Sequence, residues 1–309
     1  MGARQRLAPP DWFPERLIVP VCSATGGVGR STIVSLLAYG MAAYVQPVGV
    51  IDAGLRGQSP WPGWVSAPHP KSTAVIDWHH RMHPDGNAGL PSPEVIQNAG
   101  GRFMADDGVQ VFTDTSPWQA PMLEVGDDPR WWAPVIAAYR ATVVDLPPGV
   151  LTDLFRSQHR QESSGIKRWI EAGPSWRAAV VPVVVTSLAG AASGAAYATL
   201  GALEQAGMSV DRMVVAAVNT QSGRVPNSAS RAVQLMERRG ATVIRIPYDP
   251  TLRASGVAEF EQASAQTIAG ISMLLDAVLL RAGRPIATNA VRTVRRKATT
   301  GSSRVATES

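Results

Sequence analysis

A short loop near the N-terminus, Thr25 to Thr32, has the residue types needed to hold phosphate groups. Three of the four residues at 26–29 are glycine, which lets successive backbone N–H groups turn inward around an anion. Arg30 then adds a positive charge, and Ser31 adds a hydroxyl that could meet a terminal phosphate and Mg²⁺. The loop therefore predicts phosphate binding, although a tight turn between a strand and a helix can contain the same glycine run.

Two aspartates could supply the metal chemistry that a phosphate site needs. Asp52 ends the apolar run Val48 to Asp52, and Asp145 ends the run that begins at Thr142. Carboxylates at the carboxyl ends of parallel strands lie at the edge of the sheet where ligands bind, and they can hold Mg²⁺ through water. A turn or helix cap is the alternative role for Asp52.

A third polar residue, Asn219, follows the apolar run that starts at Val214. Its carboxamide has both a donor and an acceptor, so it could pair with the edge of a nucleotide base. A turn before Ser222 and Gly223 is the alternative explanation.

Strands and helices must alternate along the chain to bring these residues to one edge. Apolar strand patterns at 17–22, 48–52, 141–146, 180–186, 214–219 and 242–247 alternate with helical patterns, among them 228–239 and 262–280. This predicts an α/β fold with a doubly wound, mostly parallel sheet and helices on both faces. Residues 178–203 contain no charge, but one proline and three glycines interrupt them, which favours a buried strand and helix over a membrane span.

The motifs together resemble the MinD/ParA family of P-loop ATPases, including its CpaE- and TadZ-like members. TGGVGRST at 25–32 resembles the deviant Walker A loop, VGVID at 48–52 the switch-aspartate strand, and TVVDLPPG at 142–149 the Walker B segment. VVAAVN at 214–219 and IPYDP at 246–250 resemble the segments beside the adenine. The matches occur in family order over residues 17–282.

The resemblance implies a set of site residues. ATP would be held by Thr25, Gly26, Gly27, Val28, Gly29, Arg30, Ser31, Thr32, Asn219, Pro247 and Asp249. Mg²⁺ would be held by Ser31, Asp52 and Asp145, with Asp52 and Arg30 as the catalytic residues.

The resemblance also implies a function. Proteins of this kind form nucleotide-dependent homodimers that position a cargo, here DNA or a secretion or conjugation assembly with its own protein partner. We expect a cytoplasmic protein, peripheral to the nucleoid or the membrane. The single cysteine, Cys22, agrees with a cytoplasmic location.

Three departures from the family pattern concern charge at the phosphates. Thr25 replaces the lysine that crosses the dimer, Arg30 replaces the second loop lysine, and Arg56 stands where a second acidic residue is usual. Because phosphoryl transfer depends on positioning and on neutralising charge, we expect ATP binding with weak or absent hydrolysis.

The flanking segments offer further surfaces. Residues 1–16 are predicted to form an arm, and residues 53–133 form an elaboration with six of the nine tryptophans, as a lid, a partner surface or additional core. His79 and His83 lie four residues apart there, which is weak evidence for a metal site. Residues 283–309 form a basic, disordered tail that either stays solvated or contacts DNA or an anionic membrane.

Two other functions are weighed against an ATP-dependent switch. The chain could be a nucleotide-free scaffold that works through its tryptophan-rich elaboration and its basic tail. It could also be a metabolic enzyme of the same superfamily, but the sequence shows no substrate constellation, and one cysteine cannot supply the cysteine pair of an iron–sulfur dimer.

Overall fold

A computed structural model describes residues 10–54, 60–61, 108–113, 128–149, 165–205, 207–255 and 263–283. Within these ranges eight strands form one sheet. The strands are β1 (Arg16–Ser23), β2 (Val48–Asp52), β3 (Val109–Phe112), β4 (Ala141–Asp145), β5 (Ala178–Val180), β6 (Val183–Ser187), β7 (Val214–Val218) and β8 (Thr242–Ile246).

Most of the described α-helices lie between strands in the chain, as expected for βαβ units, and the last two follow β8. They are α1 (Arg30–Ala42), α2 (Ala133–Ala138), α3 (Gly165–Ala172), α4 (Gly190–Gln205), α5 (Asn227–Arg238), α6 (Pro250–Ser255) and α7 (Ala265–Arg281). Single 3₁₀ turns occur at Pro129–Trp132, Pro174–Trp176 and Val210–Arg212.

The sheet has the order β3-β2-β4-β1-β6-β7-β8, and every described pairing is parallel. The short strand β5 also pairs with β1. It pairs with the first half of β1, and β6 pairs with the second half. Since β1 lies in the middle and strands are added outward on both sides, the predicted doubly wound parallel sheet is confirmed.

Helices cover both faces of the sheet. One apolar cluster joins α1 and α7 to the sheet and includes Val19, Val50 and Val143. The other joins α2, α3, α4 and α5 to the opposite face and includes Ile51 and Val144. Successive side chains of a strand point to opposite faces, so a strand buried on both sides is apolar along its length, as β1 is from Leu17 to Cys22.

Two elements differ from the sequence prediction. Strand β3 lies inside the 53–133 elaboration, where the sequence pattern predicted no strand, and its four residues are too few to establish a period. The strand predicted at 180–186 is divided into β5 and β6 at Val181 and Pro182, because proline has no N–H to donate to the ladder.

Several predictions lie outside the described residues: the first nine residues of the arm, the pair His79 and His83, Arg56, and the tail beyond Gly283. The end of the arm is described, and Phe13 is buried there against the core. The charge-free segment forms β5, β6 and α4, as predicted. No helix in the described part of the chain combines the length and the apolar character that crossing a bilayer requires.

Candidate functional site

The glycine loop connects the end of β1 to the start of α1. Gly27 has φ 71° and Gly29 has φ 85°, a left-handed conformation that favours glycine. Thr25, Gly26 and Gly27 are exposed, and a Cβ added at Gly26 or Gly27 would meet no atom within 4 Å in the described structure. The loop therefore has open space beside its backbone.

The N-terminus of α1 faces this loop. Gly29 is the N-cap residue, and no side chain of the described residues caps the helix there. The first N–H groups of an α-helix have no partner within the helix, and its N-terminus carries a partial positive charge. An anion lying in the loop would accept hydrogen bonds from these N–H groups and would interact favourably with the partial positive charge.

A cavity of about 170 Å³ begins at the loop and ends at the carboxyl edge of β7 and β8. Gly27, Gly29 and Thr32 form one wall, and the opposite wall includes Asn219 and the segment 246–249. Cavities that enclose a whole small ligand usually have roughly 300–1,000 Å³. We therefore expect this cavity to enclose a ring-sized group, with charged groups extending over the open loop.

Asn219 is placed at the cavity by backbone and side-chain hydrogen bonds. Its N–H donates to the carbonyl of Ile246 at 2.8 Å, which fixes the end of β7 against the end of β8. Its Oδ1 accepts from the N–H of Gln221 at 3.4 Å, a long contact that restrains the carboxamide only weakly.

Asp249 also lines the cavity, but its carboxylate has structural partners. Oδ1 accepts from the N–H groups of Thr251 at 3.0 Å and Leu252 at 3.4 Å, so it caps α6. Oδ2 accepts from the N–H of Ser264 at 2.8 Å, at the start of α7. Burial opposes ionisation, yet these hydrogen bonds hold the pKa of Asp249 below its ordinary value. Asp249 therefore shapes the cavity wall as an ionised cap.

Asp52 and Asp145 lie side by side at the ends of β2 and β4. They are direct partners in the parallel register, and both are fully buried. Val50 and Val143, two residues earlier in their strands, belong to the cluster beneath α1, so both aspartates point to that same face. The structure thus places the two carboxylates on the loop side of the sheet.

Protein donors engage both oxygens of Asp145. The Nε of Arg30 donates to Oδ1, and the indole Nε1 of Trp61 donates to Oδ2 at 2.7 Å. The Arg30 guanidinium is buried and also lies 3.5 Å from the Oγ of Ser23. We call Arg30, Trp61, Asp145 and the neighbouring carboxylate Asp52 the Arg30 corner.

Asp52 is engaged in a similar way. Its Oδ2 accepts from the hydroxyl of Thr113 at 2.6 Å, and its Oδ1 accepts from the N–H of Gly54 at 3.2 Å. Thr113 directly follows β3, so this hydrogen bond joins the ends of β2 and β3. The turn-cap role that we left open for Asp52 is present in the structure through Gly54.

Sequence reasoning missed two of these residues, Trp61 and Thr113. Thr113 could have been found if β3 had been recognised, because the residue after a parallel strand lies at the ligand edge. The position of Trp61 has no local signal, since its indole meets Asp145 across 84 residues of chain.

The Arg30 corner does not fit a bound Mg²⁺ as its side chains lie. Mg²⁺ is held by carboxylate oxygens directly or through its own waters. Here every oxygen of Asp52 and Asp145 already accepts a hydrogen bond from the protein, and a buried guanidinium contacts Asp145. Ser31, the expected hydroxyl ligand, is buried at the start of α1. No group of three or more metal-binding side chains was found among the described residues.

Cys22 lies near Arg30, and its thiol is unreactive. The thiol is buried and not in a disulfide. Burial raises its pKa to about 12, although the positive charge of Arg30 acts in the opposite direction. Because the thiolate is the reactive form, we assign no chemistry to this residue.

Solved structures with the same architecture are known. The chain superposes on MinD of Pyrococcus horikoshii complexed with Mg-ADP with a TM-score of 0.56 and 16% identity, covering 85% of this chain and 96% of that one. The chain has the MinD/ParA fold. No sequence profile of a known family matches it, and no curated protein does.

Two further structures with the MinD/ParA fold give similar values. An ATP complex of a McdA variant from Cyanothece has a TM-score of 0.53 and 13% identity, over 86% of this chain and 97% of that one. The MinC:MinD cell division complex of Aquifex aeolicus has a TM-score of 0.52 and 15% identity, over 88% and 98%. The predicted P-loop MinD/ParA architecture is therefore confirmed, while the CpaE- or TadZ-like subtype stays a prediction.

Proposed function

We propose that this chain is an ATP-binding protein that acts as a nucleotide-dependent dimer and positions or partitions a cargo. The observation that carries the proposal is the continuity of the open glycine loop with the cavity at Asn219 and Pro247. Backbone N–H groups and the α1 N-terminus would hold the phosphates, and the cavity would hold the base.

The MinD/ParA fold supports the choice of nucleotide and of function class. One structure with this fold is a MinD complexed with Mg-ADP, and another is a McdA complexed with ATP. The MinC:MinD complex is an example of this fold bound to a protein partner. For this chain we propose a homodimer whose cargo is DNA or a secretion or conjugation assembly. We further propose a cytoplasmic location, peripheral to the nucleoid or the membrane through the basic tail.

We propose that ATP hydrolysis is weak or absent. Thr25 has no charge to offer a phosphate. The Nε of Arg30 is committed to Asp145, and Asp52 is engaged by Thr113 and Gly54. Phosphoryl transfer needs groups that position the reactants and neutralise developing charge, and the loss of one such donor typically costs roughly 100- to 1,000-fold in rate.

Calorimetry with ATP tests the binding half of this proposal on three proteins: wild type, Gly27→Ala and Gly240→Ala. A Cβ at Gly27 would project into the open space of the loop, and we expect ATP binding to weaken about tenfold, or about 1.4 kcal/mol. Gly240 also has a positive φ and open space around it, but it lies in the turn after α5. The Gly240→Ala variant should therefore suffer similar backbone strain and bind ATP as wild type does.

The second candidate function is a nucleotide-free scaffold. The hydrogen bonds that Arg30 and Trp61 donate to Asp145 favour it, because they give this buried carboxylate partners within the protein. Within the tryptophan-rich elaboration, the two tryptophan side chains that the structure describes, Trp61 and Trp132, are both buried and so belong to the core. Absence of any heat with ATP on wild type would select the scaffold, whereas equal weakening in both glycine variants would place the binding elsewhere.

A further inference from the structure

The filling of the Arg30 corner has a consequence for the metal. Each oxygen of Asp145 already accepts a hydrogen bond, from Arg30 Nε or from Trp61 Nε1, so a divalent cation would have to share those oxygens with both donors. Trp61 is fully buried, so its ring belongs to the core beneath α1. Moving it would expose a large apolar side chain as well as break a hydrogen bond to a buried carboxylate.

The positive charge of Arg30 also opposes metal binding at Asp145. The guanidinium of Arg30 carries a positive charge, and its side chain is only 8% exposed. It therefore places a fixed positive charge against Asp145, where a metal would have to bind. Two cations that share one buried carboxylate repel each other strongly, because a buried site screens charge much less than water does.

We propose that Arg30 and Trp61 exclude Mg²⁺ from this corner, so that a nucleotide at the glycine loop binds without a divalent metal. Because Arg30 and Asp145 neutralise each other, the backbone N–H groups of the loop and the N-terminus of α1 hold the phosphates. The exclusion of Mg²⁺ depends only on the contacts within the Arg30 corner. The metal-independent binding of nucleotide rests also on the proposed function.

The first test compares ATP binding to the full-length wild-type chain in excess EDTA and in excess Mg²⁺, by calorimetry. We expect the two dissociation constants to agree within about threefold, which is below 1 kcal/mol. Tightening of about tenfold or more in Mg²⁺ would overturn the proposal. This comparison needs no variant, so a folding defect cannot confuse it.

The second test needs no nucleotide and therefore separates this proposal from the proposed function. The indole N–H resonance of Trp61 is assigned in a ¹H–¹⁵N spectrum by its loss in Trp61→Phe, with Trp132→Phe as the control for loss of a buried indole. Addition of Mg²⁺ alone should leave the Trp61 resonance in place, whereas a saturable shift would show metal entering the corner and would overturn the proposal. If ATP gives no heat in either buffer, the proposed function fails and this titration still decides the exclusion of metal.

The third test asks whether Arg30 and Trp61 are the residues responsible. The double variant Arg30→Met, Trp61→Phe keeps an unbranched side chain and an aromatic ring but removes the positive charge and both N–H donors that hold Asp145. We expect Mg²⁺ to tighten ATP binding to this variant by about tenfold, relative to EDTA. Trp132→Phe, in the cluster on the opposite face of the sheet, should remain independent of Mg²⁺. A folded double variant that also ignores Mg²⁺ would show that other residues exclude the metal and would overturn the assignment.

Discussion

The cavity at Asn219 and the Arg30 corner lie along the same carboxyl edge of the sheet, yet they differ in what fills them. The cavity is open, and a half-buried carboxamide with one long hydrogen bond borders it. In the corner, buried protein groups donate to both oxygens of each carboxylate. Parallel strands bring polar residues to one edge in both places, but the neighbouring side chains decide whether that edge binds a ligand or closes on itself.

The Arg30→Ala variant gives the largest effect that we expect from this difference. It would leave Asp145 buried with Trp61 as its remaining described donor, and breaking a buried ion pair typically costs about 3–5 kcal/mol of unfolding free energy. Urea unfolding measures the loss. The control is Lys167→Ala, which removes an exposed i,i+4 pair with Glu171 and should cost about 0.5 kcal/mol or less.

A double variant sharpens this prediction. When Arg30→Ala is combined with Asp145→Ala, no unpaired charge remains, so the double variant should be more stable than the sum of the two single losses implies. If the losses of unfolding free energy are strictly additive, Arg30 and Asp145 do not stabilise each other. The ion pair in the Arg30 corner would then contribute nothing to stability.

The same comparison explains what the sequence could predict. The strands β1, β2, β4 and β7 were found within a residue or two because parallel strands buried on both faces are continuously apolar. Asp52, Asp145 and Asn219 were then placed at one edge by topology alone. The partners Trp61 and Thr113 could not be found in this way, since each contact joins positions more than 60 residues apart and depends on tertiary packing.

Arg30 shows the limit of motif reasoning. Its place in the loop predicts a contact with phosphate, because a basic residue there normally faces the ligand. A guanidinium has donors along its length as well as at its tip, so its Nε can reach Asp145 while the chain remains in the motif. The sequence identified the residue, but only the packing shows which partner it takes.

Two threonines allow a second test of the Arg30 corner, with a smaller expected effect on unfolding free energy. Thr113→Val removes the hydroxyl that donates to Asp52, and hydrogen bonds to charged groups contribute about 1.5–3 kcal/mol. Thr142→Val is the matched control, because its hydroxyl is buried without a hydrogen-bond partner in the described structure. Urea unfolding should show a clear loss for Thr113→Val and no loss, or a slight gain, for Thr142→Val. Equal effects would mean that the Asp52 contact adds nothing to stability.

The smallest expected effect lies on the cavity side, at Asp249. Its pKa lies below the ordinary aspartate value in the folded state, so ionisation favours folding above the ordinary pKa, and that contribution disappears as the pH falls through the folded pKa. Asp249→Asn keeps one oxygen acceptor for the cap of α6 but removes the charge, and we expect it to cost about 1 kcal/mol at pH 7. The gap between wild type and variant, measured by urea unfolding, should narrow as the solution is acidified below the ordinary pKa. If the difference in unfolding free energy does not change with pH, the charge of Asp249 does not contribute to stability. Its hydrogen bonds to Ser264 and to the start of α6 would then not depend on ionisation.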